Sequence, residues 1–168
     1  MNLILCGMMG SGKTAVGEKL AQLIGRRCYD TDSLIEEKCG KISDIFERYG
    51  EECFRKLETE LVTVLAQKDN LVIATGGGLV LKKENSDLLQ KSGKIIFLRA
   101  TLETLAERLR ADTKRPLLQN ASGDLYERLT LLMKERTPIY ERVAEYIVDV
   151  DGKTPEEIVR EIITVIGV

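Results

Sequence analysis

Gly7-Met8-Met9-Gly10-Ser11-Gly12-Lys13-Thr14 is a complete G-x-x-x-x-G-K-[ST] stretch, and its reading decides the fold. Its glycines let successive backbone N–H groups, those of Gly10, Ser11 and Gly12 among them, curl round an anion without Cβ clashes. A helix opening behind the loop points the positive end of its dipole at the same spot. Lys13 supplies a point charge for the β- and γ-phosphates of a nucleotide, and Thr14 offers a hydroxyl to Mg²⁺. The flanks agree with this. Asn2-Leu3-Ile4-Leu5-Cys6 reads as a short apolar strand leading in. Val16, Leu20, Leu23 and Ile24 follow at helical spacing.

Outward from the loop, apolar strand-like runs recur at about 2–6, 27–30, 71–75, 94–99 and 146–149, with helical patterns between and after them. This alternation predicts an α/β domain: a five-stranded parallel sheet with helices on both faces and right-handed crossovers. A helix is expected over 13–25, and a long helical tract over 43–67 with a break near Gly50. The last helix has a marked start, with Thr154 as N-cap, Pro155 at the first helical position and Glu157 placed for a capping box. Residues 112–124 interrupt the rhythm with a polar run containing Arg115, Pro116 and Gly123. A connection of that kind in a nucleotide kinase reads as a mobile lid that expels water before phosphate moves. Residues 1–168 otherwise read as one domain, without repeats or a dividing linker.

The chain has 168 residues, 43 % of them apolar, and 25 basic against 27 acidic residues for a net charge of −2. This balance argues against nucleic acid as a partner, which calls for a basic excess. No run approaches the ~20 apolar residues of a membrane span. MNLILC is too short and lacks the basic flank for a signal peptide, so a cytoplasmic protein is expected. Histidine is absent, so proton chemistry falls to Asp, Glu, Lys, Tyr or water. The four cysteines, at 6, 28, 39 and 53, have no zinc-ligand spacing. Cys6 and Cys28 read as buried small hydrophobes.

A phosphate loop serves GTPases, motors and small-molecule kinases alike. No N-K-x-D base-recognition motif is present, and Asp149-Val150-Asp151-Gly152 follows the wrong strand for a switch region. Leu71-Val72-Ile73-Ala74 ends in Thr75-Gly76-Gly77-Gly78, where a motor would carry an aspartate. Three glycines at the carboxyl edge of a parallel strand admit a ligand against the backbone. Asp30-Thr31-Asp32 at the end of the second strand places one carboxylate to help hold a metal and another to take a proton from an attacking hydroxyl. Asp32 or Thr31 could instead merely cap the next helix. Arg55 and Glu58 stand at i, i+3 on a helix. They are either a surface ion pair or a carboxylate-gripping fork held in place by Glu58. Arg136, in Arg136-Thr137-Pro138-Ile139-Tyr140, offers a second guanidinium. Read singly, either arginine is a solvated charge.

These motifs together resemble the shikimate kinase family. Besides the phosphate loop, they are Asp30-Thr31-Asp32, Phe54-Arg55-Lys56-Leu57-Glu58, Thr75-Gly76-Gly77-Gly78, Arg115-Pro116-Leu117-Leu118 and Arg136-Thr137-Pro138-Ile139-Tyr140. The resemblance implies transfer of phosphate from MgATP to the 3-hydroxyl of shikimate, giving shikimate 3-phosphate in chorismate and aromatic amino-acid biosynthesis, by a monomer. It implies Lys13 and Thr14 at the phosphates and metal, and Asp30 at Mg²⁺. Asp32 would bind the acceptor hydroxyls and act as base. Arg55 and Arg136 would clamp the carboxylate, Gly76, Gly77 and Gly78 would approach the substrate, and Arg115 would close onto the γ-phosphate. Arg108 matches the residue that stacks on adenine, with Arg110 as competitor, and Pro155 matches the other side of that slot. Ala15 departs from the second hydroxyl residue common in relatives, a loss of about 1 kcal/mol of nucleotide binding. A gluconate kinase and a catalytically silent, kinase-like binding protein are the rival readings.

Overall fold

β1 (Asn2–Cys6) is buried along its whole length and apolar from Leu3 onward, as strands in the middle of a parallel sheet are. The computed structural model describes residues 1–111 and 124–167. Among them, β1 is followed by α1 (Lys13–Ile24), β2 (Arg27–Asp30), α2 (Thr31–Cys39) and α3 (Ile42–Leu65). Then come β3 (Leu71–Ala74), a 3-10 turn (Leu79–Leu81), α4 (Lys83–Ser92), β4 (Gly93–Arg99) and α5 (Leu102–Arg110). The chain closes with α6 (Leu125–Val143), β5 (Tyr146–Asp149) and α7 (Pro155–Ile166). The five strands are all parallel, in the order β2-β3-β1-β4-β5. The predicted α/β architecture is therefore the observed one.

The expected lid falls almost wholly outside the described residues. Of 112–124 only Asp124 is described, and its carboxylate caps α6 by accepting from the Tyr126 amide at 3.2 Å. Arg115 also lies outside them. The expected break at Gly50 is real: its φ of 82° and ψ of 169° interrupt α3, a backbone state open to glycine. The capping box is present too. The Glu157 amide donates to Thr154 Oγ1 at 3.3 Å, and the Thr154 amide to Glu157 Oε2 at 2.7 Å.

α1 and α7 pack on each other, α1 against β1, β2 and β3 and α7 against β5; α4 and α6 pack on β4. One apolar cluster runs through the sheet and these helices, from Leu3 to Ile166. A smaller one, Ile35, Ile45 and Phe54, sits between α2 and α3. Among the described residues no helix is long and apolar enough to cross a membrane.

Asn2 is a polar side chain inside what reads as an apolar strand. It is fully buried, donates to the Lys68 carbonyl at 2.9 Å and accepts from the Leu71 amide at 2.9 Å, pinning the start of β3 to that of β1. Asn2→Ala strands the buried Leu71 amide, worth about 1–3 kcal/mol, and cuts the tie to the Lys68 carbonyl. Calorimetry should show Tm lower by about 5–10 °C, and an unchanged Tm would refute this pinning role.

Candidate functional site

In a sheet of this order the chain runs from β1 outward to both sides, so β1 is where the strand order reverses. Ligands bind at the carboxyl ends of strands flanking such a point. The Gly7–Thr14 loop leaves β1 there. Gly10 and Gly12 take φ of 82° and 93°, left-handed values that L side chains rarely adopt, and these turn the loop back on itself. The Ser11 amide closes the turn onto the Met8 carbonyl at 3.1 Å. No side chain caps the amino end of α1, so its first amides face the loop. Lys13 Nζ donates to the Gly7 and Met8 carbonyls at 2.9 and 2.8 Å, and reaches Ser11 Oγ at 3.5 Å. Arg108 crosses over the loop and donates from Nη1 to the Gly10 carbonyl at 3.1 Å. Arg110 is exposed, so Arg108 is the arginine that belongs to the site.

β2 ends next to this loop. Thr14 Oγ1 donates to Asp30 Oδ2 at 2.5 Å, and Asp30 Oδ1 accepts from the Ser33 amide at 3.0 Å. The N-cap of α2 is thus Asp30, so the alternative in which Asp32 or Thr31 merely caps that helix does not hold. The reason is geometric: Asp30 is the last extended residue, with φ −96° and ψ 122°, and only it stands outside the first turn. Thr31 and Asp32 lie in that turn. Buried Thr31 Oγ1 accepts from the Gly76 amide at 2.9 Å, joining α2 to the glycine edge. A methyl group on Gly76 would meet Asp32 Oδ1 at 2.5 Å, so the missing side chain is space that the carboxylate fills.

Opposite lies a buried charge cluster. Arg55 Nη1 donates to Glu58 Oε2 at 2.8 Å, and Nη2 to Glu51 Oε1 at 3.1 Å. Glu58 is only 1 % exposed, so this is no surface ion pair. Burial pushes the Glu58 carboxyl up to about 7 from its ordinary 4.5, helped by Asp32 and opposed by Arg55 and Arg136. Arg136, on α6, is 6 % exposed, and its Nε has no hydrogen-bond partner among the described residues. A side chain on Gly77 would stand 3.3 Å from Arg136 Nη1, and one on Gly78 would run into the Arg55 guanidinium. The strand edge therefore needs glycine because two arginines and an aspartate press on it.

A cleft of about 960 Å³ joins these parts. It is lined by Gly10, Gly12, Lys13, Thr14, Asp30, Asp32, Arg55, Gly76, Gly77, Gly78, Arg108 and Arg136, all singled out in the sequence. Ser11 is buried under the loop, and Pro155 starts α7 without lining the cleft. Sequence reasoning missed Thr31, Glu51, Glu36, Lys41 and the facing rings of Phe46 and Phe54, whose centroids are 5.1 Å apart. The rings carried a signal, apolar positions on either side of a Gly50 break. Glu36 and Lys41 carried none. Burial pushes the thiols of Cys6 and Cys28 up to about 12 and 11, which disfavours the reactive thiolate at both.

The family model "Shikimate kinase" matches residues 9–167. A shikimate kinase of Thermodesulfovibrio yellowstonii is 44 % identical over 163 residues, 96 % of this chain and 92 % of that protein. Among solved structures, shikimate kinase from Acinetobacter baumannii in complex with shikimate aligns with a TM-score of 0.93 at 37 % identity, covering 98 % of this chain and 92 % of that one. A gluconokinase from Sinorhizobium meliloti aligns at a TM-score of only 0.63 and 22 % identity, covering 95 % of this chain and 87 % of that one. That is a likeness of fold alone.

The raised Glu58 carboxyl binds its proton more tightly in the folded than in the unfolded chain. Its stabilising share is therefore fully present below about pH 4.5 and is lost as pH rises through about 7. Glu58→Gln removes this dependence. Melting from pH 5 to 8 should show the wild type losing ground to the variant, by about 3 kcal/mol at most. A gap that stays constant with pH would contradict the carboxyl's assignment.

Proposed function

The chain belongs to the shikimate kinase family, and on that premise we propose how its cleft transfers the γ-phosphoryl group of ATP to shikimate. The observation that carries the reading is the pairing, across one cleft, of a phosphate loop with two arginines, Arg136 buried and Arg55 half-buried. A monocarboxylate with several hydroxyls fits that acceptor end. Two guanidinium groups meet the carboxylate, and a carboxylate and bare backbone meet the ring.

ATP is the co-substrate. Its phosphates lie along the Gly10–Thr14 backbone amides and the amino end of α1, with Lys13 exchanging its bonds to loop carbonyls for phosphate oxygens. Arg108 covers the loop from α5 and offers its guanidinium to the base, as the family resemblance implies. Mg²⁺ fits the corner where Thr14 Oγ1 meets Asp30 Oδ2, because a hydroxyl and a carboxylate are the hard oxygen donors it takes beside waters and phosphates. When bound, the ion neutralises charge on the β- and γ-phosphates. Ala15 lines the same cleft and gives the α-phosphate nothing beyond its backbone.

Arg55 and Arg136 hold the substrate carboxylate, with Glu58 and Glu51 fixing the fork of Arg55. The ring then lies on the Gly76–Gly78 edge, its 3-hydroxyl beside Asp32. Asp32 accepts the hydroxyl proton as the oxygen bonds to the γ-phosphorus, and the bond to the β-phosphate oxygen breaks to release ADP. The reading takes residues 1–168 as one kinase domain with Arg115 closing onto the γ-phosphate from 112–124. It also takes the enzyme to be a cytoplasmic monomer; its four free thiols suit a reducing compartment.

ADP release from MgATP is expected with shikimate and not with gluconate. Release with gluconate alone would reject the role of the two arginines. Tight ATP binding without release on either acceptor would favour the silent binding protein. Asp32→Asn should fold normally and turn over roughly 100-fold more slowly or worse; near-normal kcat would remove Asp32 as base.

A further inference from the structure

The reaction described above gives no role to Tyr140, the largest of the fully buried side chains. It lies one turn after Arg136 on α6, with its ring on Phe97 of β4 at 5.0 Å between centroids. Its hydroxyl donates to the Gly77 carbonyl at 2.5 Å and stands 4.0 Å from Met8 Sδ in the phosphate loop. Burial pushes the phenol well above its ordinary range, against the charge of Arg136, so the hydroxyl remains a donor.

Gly77 is the point of the glycine edge that faces both ends of the site. A Cβ there would stand 3.3 Å from Arg136 Nη1, 3.6 Å from the Met9 nitrogen and 3.7 Å from the Gly7 carbonyl oxygen. The backbone at Gly77 is thus wedged between an arginine of the acceptor end and the loop of the nucleotide end. The phenol fixes its rotation. A peptide plane whose carbonyl is held by Tyr140 must turn the N–H of Gly78 to the opposite side, away from the phenol.

We propose that Tyr140 is a positioning residue for phosphoryl transfer: its hydroxyl sets the Gly77 peptide, and with it the seat of Arg136 against the phosphate loop. This rests on the reading of the cleft as a shikimate site. It differs from a packing role, because Phe fills the same space on Phe97 and loses only what the hydroxyl makes, the bond to Gly77 and the contacts with Met8 and Arg136. Losing that bond takes from the half-buried Gly77 carbonyl its phenol partner and frees the peptide that seats Arg136.

The test is steady-state kinetics of Tyr140→Phe with both substrates varied. KM for shikimate should rise roughly tenfold, with KM for ATP within about twofold of wild type. A shikimate KM within about twofold of wild type, whatever happens to Tm, overturns the proposal, as does an equal rise in both constants. Shikimate-dependent turnover of the wild type in the same assay separates the two claims. If it is absent, the shikimate reading and this inference both fail; if it is present and Tyr140→Phe is normal, only this inference fails. Should Tyr140→Phe not fold, Gly77→Ala probes the same wedge from the other side. A raised KM for shikimate alone supports the role, and an unchanged one overturns it.

Discussion

A carboxylate that is almost without contact with water, that of Glu58, is the constraint around which the acceptor end is built. An isolated buried charge is costly, and the cost is offset only by close partners or by a proton. Glu58 has both within reach: Arg55 on one oxygen, Arg136 and Asp32 nearby, and a carboxyl that titrates near neutrality. With Glu58 protonated, Arg55, Arg136, Asp32 and Glu58 sum to one positive charge, before Glu51, which pairs with Arg55 from an exposed position, is counted. With Glu58 ionised, the same four groups sum to zero. The glycine edge follows from this crowding. Gly76, Gly77 and Gly78 have no side chains because Asp32, Arg136 and Arg55 occupy that space.

The nucleotide end depends on backbone instead. Its loop is held by left-handed glycines and by amides at the start of α1, features that follow from residues next to each other in the chain. Neighbouring residues therefore suffice to reveal it. The parallel sheet is legible for a related reason. β1, β3 and the middle of β4 are buried on both faces and read as apolar segments made mostly of Val, Ile and Leu.

What escaped the sequence is what depends on distant partners. Asn2 hides in an apolar strand because its two bonds reach Lys68 and Leu71. Asp30, rather than either neighbour, caps α2 because the chain leaves β2 at that residue, a boundary that propensity does not fix to one position. Arg55 and Arg136 read singly as solvated, since burial of a charged residue is visible only once its partners arrive from other elements. Glu36 and Lys41 carry no local mark of any kind, and the i, i+4 spacing of Glu51 and Arg55 marks only an ion pair. Asp149 and Asp151, which match a switch motif by letter, have structural roles: one pairs with Arg99, the other binds the Thr101 amide.

Phosphoryl transfer requires the two ends to keep their distance from each other, and the sheet sets that distance. β1 delivers the phosphate loop and β3 the glycine edge, and the two strands are hydrogen-bonded neighbours. The pairing continues past the strands, where both the amide and the hydroxyl of Thr75 donate to the Leu5 carbonyl at 3.0 Å. Where the phosphate loop leaves β1 and the glycine edge leaves β3, the two backbones are held at the inter-strand spacing of about 4.8 Å, which side-chain motion does not alter. The wall formed by α2 and α3 is different. It packs on its own small apolar cluster and contains the Gly50 break. Lining residues Phe46 and Phe54 stand on opposite sides of that break, so the wall meets the substrate through side chains on two helical segments rather than through the ladder. A site divided in this way keeps the reacting groups in register through backbone bonds and leaves the choice of acceptor to side chains, where substitution can change it without disturbing the phosphate site.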